Sequence, residues 1–454
     1  MEIDSHNKSP ANRPNESCRL RDWLAGGSPV MIGVFAAGSA FVTYSSMYAF
    51  RKPFTAAAFD DVTLLGIDYK SVLVASQLAG YALSKVIGVK VIAEMTPTRR
   101  AAAILALIAI AWLSLLGFAL VPAPYNFPLL FLNGLPLGMV FGLVLSFLEG
   151  RNLTDALVAG LCASFIFASG VVKSVGRWLI VAVGVDPYWM PCLTGVIFAP
   201  TLLIGVYLLS RIPPPNAEDK VVRCERVPMD RAARHAFFRR HSASLSGLLL
   251  VYVALTVLRS LRDDFGLEIW TELGFGSAPS VFATSETLVM VGVVALCGGV
   301  TFVRDNRTAL LLSIALVLGG LGIVAGAIAG LQAGTIGPYA FMVLAGLGAY
   351  VPYVAFHTSI FERLIAAFGE RATVGYLMYL ADAAGYLAYV GLLFTRPFWL
   401  GSGGFLDLYV RLALALTLGS GLLTACLLIR LQRTTFRPHG AKPTQDTTSP
   451  AGPA

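Results

Sequence analysis

Hydrophobic positions gather into twelve long runs, at about residues 29–58, 70–93, 100–121, 127–148, 154–180, 189–210, 244–265, 279–303, 308–330, 336–360, 372–395 and 406–430. Each is long enough for a helix to cross the roughly 30 Å hydrocarbon core of a bilayer. None alternates with the period of two that a barrel strand needs, so helices must satisfy the backbone inside lipid. Polar positions lie mostly between the runs, and they are sorted by sign. Arg99 and Arg100 follow span 2, Arg151 follows span 4, Arg304 and Arg307 follow span 8, and Arg363 and Arg371 follow span 10. The connection after span 3, VPAPYNFP, carries no charge, and the one after span 7 is acidic, with Asp263, Asp264, Glu268 and Glu272. Positive loops stay in the cytoplasm, so both termini and the central loop are expected there.

Composition agrees with this pattern. The chain is 56% hydrophobic and 13% charged, against about 25% charged in a soluble domain. Its net charge of +8 sits in loops, where it sets orientation and does not point to nucleic acid. Cysteines 18, 162, 192, 224, 297 and 426 form no CxxC and read as small apolar fillers. Residues 1–28 are polar and lack the form of a cleavable signal, so span 1 is expected to remain as an anchor in the cytoplasmic (inner) membrane. The expected organisation is a polar segment 1–28, a six-helix half 29–210, a basic linker 211–243, a second six-helix half 244–430 and a disordered tail 431–454. The linker opens on IPPP, and Arg211 to Arg240 holds eight Lys/Arg against four acids.

The halves read as copies. GLPLGMVFGLVLSFLEGR from Gly134 lines up with GLGAYVPYVAFHTSIFER from Gly346, and ASGVVKSVG from Ala168 with AAGYLAYVG from Ala383. Tyr44 and Arg51 match Tyr252 and Arg259 at the same separation, so order and an offset of about 208–215 residues are kept throughout. Such parallel repeats, with a site between them near mid-membrane, predict an all-α integral membrane protein of twelve helices in two pseudo-symmetric halves, the major facilitator architecture.

Charges inside the spans are the candidate chemistry, because a charge at the bilayer centre costs roughly 2.5–3.5 kcal/mol on insertion scales and normally faces a cavity or a partner. Tyr44, Tyr48, Arg51 and Thr55 are spaced to share one face of a helix through span 1. Tyr252, Thr256, Arg259 and Asp263 repeat that stripe in span 7. Arg51 and Arg259 then converge from opposite halves as a multi-donor clamp for phosphate or carboxylate. The bland alternative is internal pairing, for example Arg259 with Asp263 or Arg262 with a nearby acid. Lys85 and Lys173 are further candidate cations, which would otherwise snorkel or sit in fixed pairs. Tyr350, Tyr353 and His357 form a wall stripe in span 10. Asp382 and Glu286 read equally as proton carriers or as counter-ions. Four candidate cavity cations against two acids favour an anionic ligand.

The motifs also carry a resemblance. The Tyr-rich span 1 ending in Arg51-Lys52, GYALSKVIG with Lys85, and VYVALTVLR with Arg259 are similar to the organophosphate:phosphate antiporter branch of the major facilitator superfamily. That resemblance implies that Arg51 and Arg259 bind phosphate with Lys85 close by. The loop GVKVIAEMTPTRR departs from the superfamily's Gly-x-x-x-Asp-Arg pattern. MYAFRKPF, NGLPLGM, LEGR and SGVVKS resemble an uncharacterised bacterial family of multi-pass facilitator-like proteins over nearly all of residues 20–430. The expectation is secondary transport of a small anionic solute, with protons as a possible coupling ion; the alternative is a facilitator-like sensor or scaffold. HExxH, GxSxG and metal-ligand clusters are missing from the sequence, so no enzyme, cofactor or metal is expected.

Overall fold

A computed structural model describes residue 24, residues 26–148, 154–213, residue 236, residues 238–303, 305–368, 374–395 and 404–434. The connection expected around Arg151, Arg304 and Arg371, most of the basic linker and the tail from 435 on lie outside the described residues.

The twelve apolar runs become twelve long helices in chain order. They are α1 (Pro29–Tyr48), α2 (Tyr69–Glu94), α3 (Arg100–Leu120), α4 (Phe127–Leu148), α5 (Thr154–Val181) and α6 (Met190–Ser210), then α7 (Ser242–Asp264), α8 (Ser280–Thr301) and α9 (Asn306–Gln332). In α10, Pro338–Ala355 runs through a π-turn, Phe356–Ile360, into Phe361–Phe368; α11 (Val374–Thr395) and α12 (Phe405–Thr434) follow. Among the described residues, eleven of these are apolar enough to cross a membrane by length and composition. The other, α2, spans 26 residues and is interrupted by Lys70, Lys85, Lys90 and Glu94. The chain is therefore a multi-pass helical membrane protein. Leu113, Leu203, Leu250, Val291 and Leu422 are exposed on its outside, as lipid contact requires.

Helix starts follow local chemistry. Ser28 accepts the Met31 amide at 3.2 Å to cap α1, and Asp305 accepts the Thr308 amide at 2.7 Å to cap α9. The Thr308 hydroxyl and amide beside Asp305 hold its carboxyl below the usual carboxylate range. Between α1 and α2 a two-residue hairpin pairs Thr63–Leu64 with Ile67–Asp68. Its turn needs positive φ at Leu65 (54°) and Gly66 (78°).

The halves meet along two seams, α2 against α11 and α5 against α8. Within the first half, α2 and α4 cross so closely that backbone touches backbone. A Cβ on Gly80 would lie 2.1 Å from the Phe131 carbonyl oxygen, and one on Gly134 would lie 2.1 Å from that of Gln77. Gly134→Ala is therefore expected to part the two helices and cost about 1–3 kcal/mol or more. Thermal unfolding in detergent measures this, and an unchanged midpoint would refute the tight crossing.

One expectation fails here. The stripe Tyr44, Tyr48, Arg51, Thr55 was to lie on one continuous helix over 29–58, but α1 stops at Tyr48. Arg51 and Lys52 form a turn, and Pro53–Ala56 is a separate 3-10 turn. Pro53 has no N–H with which to continue the ladder. The Thr55 amide and hydroxyl both turn back to the Lys52 carbonyl, at 3.1 and 2.8 Å. Tyr44 and Tyr48 still share a helical face, and the Arg51 guanidinium, carried by the turn, lies 5.8 Å from the centre of the Tyr48 ring.

Candidate functional site

Seven cations are buried among the described residues: Arg51, Lys52, Lys70, Lys85, Lys173, Arg259 and Arg262. Burial makes each one expensive unless it finds a partner. Five of them do, and the partners were only partly visible in the sequence.

At the bundle end where α1 stops and α2 starts, the first half supplies cations and the second half supplies acids. Lys52 bonds Asp264 and lies 2.6 Å from Asp263 Oδ2. Lys173 reaches Asp263 Oδ1 at 2.6 Å and its backbone carbonyl at 2.8 Å. The Ser169 hydroxyl donates to the same Oδ1 at 2.5 Å. Lys70 holds both oxygens of Glu268, at 2.6 and 2.9 Å, and also the Thr55 carbonyl at 2.8 Å. Lys173, a candidate substrate cation, is thus the partner of Asp263. The internal pairing Arg259–Asp263 does not form, because two lysines of the opposite half already occupy Asp263.

Two further cations pair elsewhere. Glu286 on α8 lies 2.8 Å from Arg262, whose Nη2 also donates to the Met342 carbonyl at 2.9 Å. Gly346 leaves the room that this guanidinium needs, since a Cβ there would meet Nη2 at 2.6 Å. Lys85 lies 3.1 Å from Asp382 Oδ2 across the α2–α11 seam. Asp382 also accepts the Tyr252 hydroxyl. In the π-turn of α10, His357 Nδ1 faces the Tyr353 carbonyl at 3.0 Å. Nε2 then faces the Tyr252 hydroxyl at 3.4 Å and Asp382 at 3.9 Å. Asp382→Asn is expected to leave Lys85 buried and unpaired, at a cost of about 3–5 kcal/mol. Adding Lys85→Met should recover most of the lost thermal stability; no recovery would mean the pair is not a unit.

Arg51 and Arg259 remain. Neither guanidinium has a carboxylate partner or a protein hydrogen bond among the described residues, and both Nε atoms are buried without an acceptor. Each instead lies over a tyrosine ring. The Arg51 guanidinium sits 3.9 Å from the centre of Tyr81, and that of Arg259 sits 4.3 Å from the centre of Tyr353. Such stacking offsets part of the desolvation while leaving the edge N–H donors unused. Tyr48 and Tyr386 lie within electrostatic range of both guanidiniums. Tyr44 packs edge-on against Tyr48 at 5.5 Å, Tyr81 edge-on against Tyr386 at 5.5 Å, and Tyr252 stacks on Tyr353 at 5.4 Å. Of the candidate residues, Tyr44, Tyr48, Arg51, Lys85, Tyr252, Arg259, Tyr353, His357 and Asp382 are joined by these ring contacts, cation-ring contacts and the Lys85–Asp382 pair into an aromatic cluster. Lys173 and Glu286 pair instead with Asp263 and Arg262.

Lys52, Lys70, Asp264 and Glu268 escaped the sequence reading as partners. The available signal was positional: tandem cations lie near the end of span 1 and tandem acids near the end of span 7.

The chain matches the model of a family of unknown function, DUF5690, over residues 53–434. No curated protein sequence matches it significantly. Among solved structures, a D-xylose-proton symporter superposes with a TM-score of 0.56 at 15% identity, covering 87% of this chain and 97% of that one. The nucleoside transporter NupG gives 0.57 at 14% identity, over 88% and 99%. A partially occluded inward-open form of the xylose transporter XylE from E. coli gives 0.57 at 14%, over 90% and 99%. At these identities the likeness establishes the fold, which is that of major facilitator transporters.

Proposed function

Because the chain belongs to the DUF5690 family, which carries no assigned activity, its own site must supply the reading, and we propose that it is a secondary transporter of a small anionic solute. Phosphate, an organophosphate or an organic carboxylate would fit. The observation that carries the proposal is the charge balance. Among the described residues five buried cations are matched by five carboxylates, and the surplus is two guanidiniums, one from each half, stacked on tyrosines of the aromatic cluster, where this reading puts the binding chamber. Two uncompensated positive charges in low dielectric repel each other and attract an oxyanion. Planar multi-donor groups suit phosphate or carboxylate oxygens.

In this reading the halves rock about the chamber, and the Lys52–Asp263–Lys173, Lys52–Asp264 and Lys70–Glu268 contacts close the outer end. The positive-inside orientation places that end outside and both termini in the cytoplasm. Lys85 assists the anion, and Asp382 is its counter-ion. Asp382 is also the acid through which protons would couple to the cycle, should they drive it. The resemblance to the organophosphate:phosphate antiporters favours exchange of one anion for another.

Thermal unfolding of the purified protein against a panel of small anions tests the proposal. A ligand that binds only the native state raises the midpoint, by about 2.7 kcal/mol of stabilisation at a hundredfold excess over Kd. A shift with phosphate, a phosphate ester or a dicarboxylate supports it and selects the solute for uptake into liposomes. Shifts with neutral solutes alone would remove it.

A further inference from the structure

The break that places Arg51 leaves two carbonyls, those of Phe50 and Arg51, without the amides that a continuing helix would bring. An unpaired carbonyl at this depth is costly. Two side-chain amides take them. Asn133 Nδ2, on α4, donates to the Phe50 carbonyl at 2.9 Å and to the Ala111 carbonyl at 2.9 Å. Gln77 Nε2, on α2, donates to the Arg51 carbonyl at 2.8 Å and to Asn133 Oδ1 at 2.7 Å. Both amides are buried, and every N–H they own is used. They sit where α2 and α4 cross most tightly, since Gly134 follows Asn133 and presses on the Gln77 carbonyl. The clasp is therefore held on rigid backbone, while the turn it grips has no helical ladder of its own.

We infer that Gln77 and Asn133 are positioning residues that hold the Arg51 guanidinium over Tyr81 for anion binding. The inference rests on the anion reading above and deepens it. The amides touch no ligand; they fix the backbone from which the arginine projects. Losing either one frees the Arg51 turn, which then meets the anion in many orientations.

A double-mutant cycle tests this on full-length protein, with inorganic phosphate as the probe and the ligand-free unfolding midpoint as a control. Asn133→Ala and Gln77→Met are each expected to weaken phosphate binding about tenfold, as the loss of one buried hydrogen bond implies. In an Arg51→Gln background neither should weaken it further, because the group they position is gone. In an Arg259→Gln background the tenfold loss should persist. Equal losses in the Arg51→Gln and native backgrounds would show general loosening and overturn the inference. So would wild-type affinity in folded Gln77→Met protein, which keeps the volume at that site if Asn133→Ala proves too unstable to purify. If wild-type protein binds none of phosphate, a phosphate ester and a dicarboxylate, or Arg51→Gln binds the anion as wild type does, the anion reading itself falls and the positioning role falls with it.

Discussion

Arg51→Gln and Arg259→Gln are each expected to weaken binding of the transported anion thirtyfold or more, on the order of 2 kcal/mol, and so to shrink its thermal shift, while leaving the ligand-free protein at least as stable as wild type. The two effects separate because of the charge balance. A buried cation held by a carboxylate cannot be removed without stranding that carboxylate, at about 3–5 kcal/mol. Arg51 and Arg259 have no such partner among the described residues, so neutralising either one relieves a desolvated charge and strands nothing. The ligand is the group that loses. Truncating one side of a buried, hydrogen-bonded charge pair costs about 2–5 kcal/mol, which is a thirtyfold to several-thousandfold loss of affinity. Arg→Lys should rescue poorly, because an ammonium offers neither the fork nor the flat face that lies on Tyr81 and Tyr353. Titration calorimetry and unfolding on the same preparations decide the matter. A fall in the ligand-free midpoint with unchanged anion affinity would make the arginines structural.

Asp263→Asn is expected to produce the opposite profile, a large loss of stability with the chamber intact. Asp263 carries Lys52, Lys173 and Ser169 at once. Lys52 keeps Asp264 after the change, but Lys173 is left 97% buried with no carboxylate. The stranded ammonium should cost about 3–5 kcal/mol. The same contacts tie the first half to the second, so the end of the bundle that they close should open more often. Thiol labelling of a cysteine placed at Thr55, which is fully buried in this structure, should then speed up. Lys173→Met added to Asp263→Asn removes the stranded charge and should restore much of the midpoint, while labelling stays fast because the bracket remains broken. An unchanged midpoint together with unchanged labelling would dissolve the bracket as an energetic unit.

The site was legible in its types and positions, and much less so in its pairings. The tandem Arg51-Lys52 does not say by itself which way Lys52 turns. In fact the adjacent side chains diverge, with Lys52 crossing to an acid 212 residues away and Arg51 lying on Tyr81. Counting cations against acids within spans worked from an incomplete set. Lys70, Asp264 and Glu268 sit at span ends, where composition marks them as loop charges, yet Lys70 is buried and the three of them bridge the halves. Gln77 could be placed on one face with Tyr81 and Ser84 but not given a partner, and Asn133 carried no signal, because an amide inside an apolar run is equally at home as a packing residue.

What the sequence determined by itself was the element list and its symmetry. Twelve apolar runs of bilayer length, repeated at a near-constant offset, leave the backbone no alternative in lipid but twelve helices in two halves. That constraint acts along the chain, so it can be read along the chain. The tertiary structure alone decided where α1 breaks, which cation meets which acid, and therefore which two buried cations have no carboxylate partner among the described residues. Those outcomes depend on contacts between helices far apart in sequence, where angstrom differences in a low-dielectric interior decide whether a buried charge is neutralised or left for a ligand.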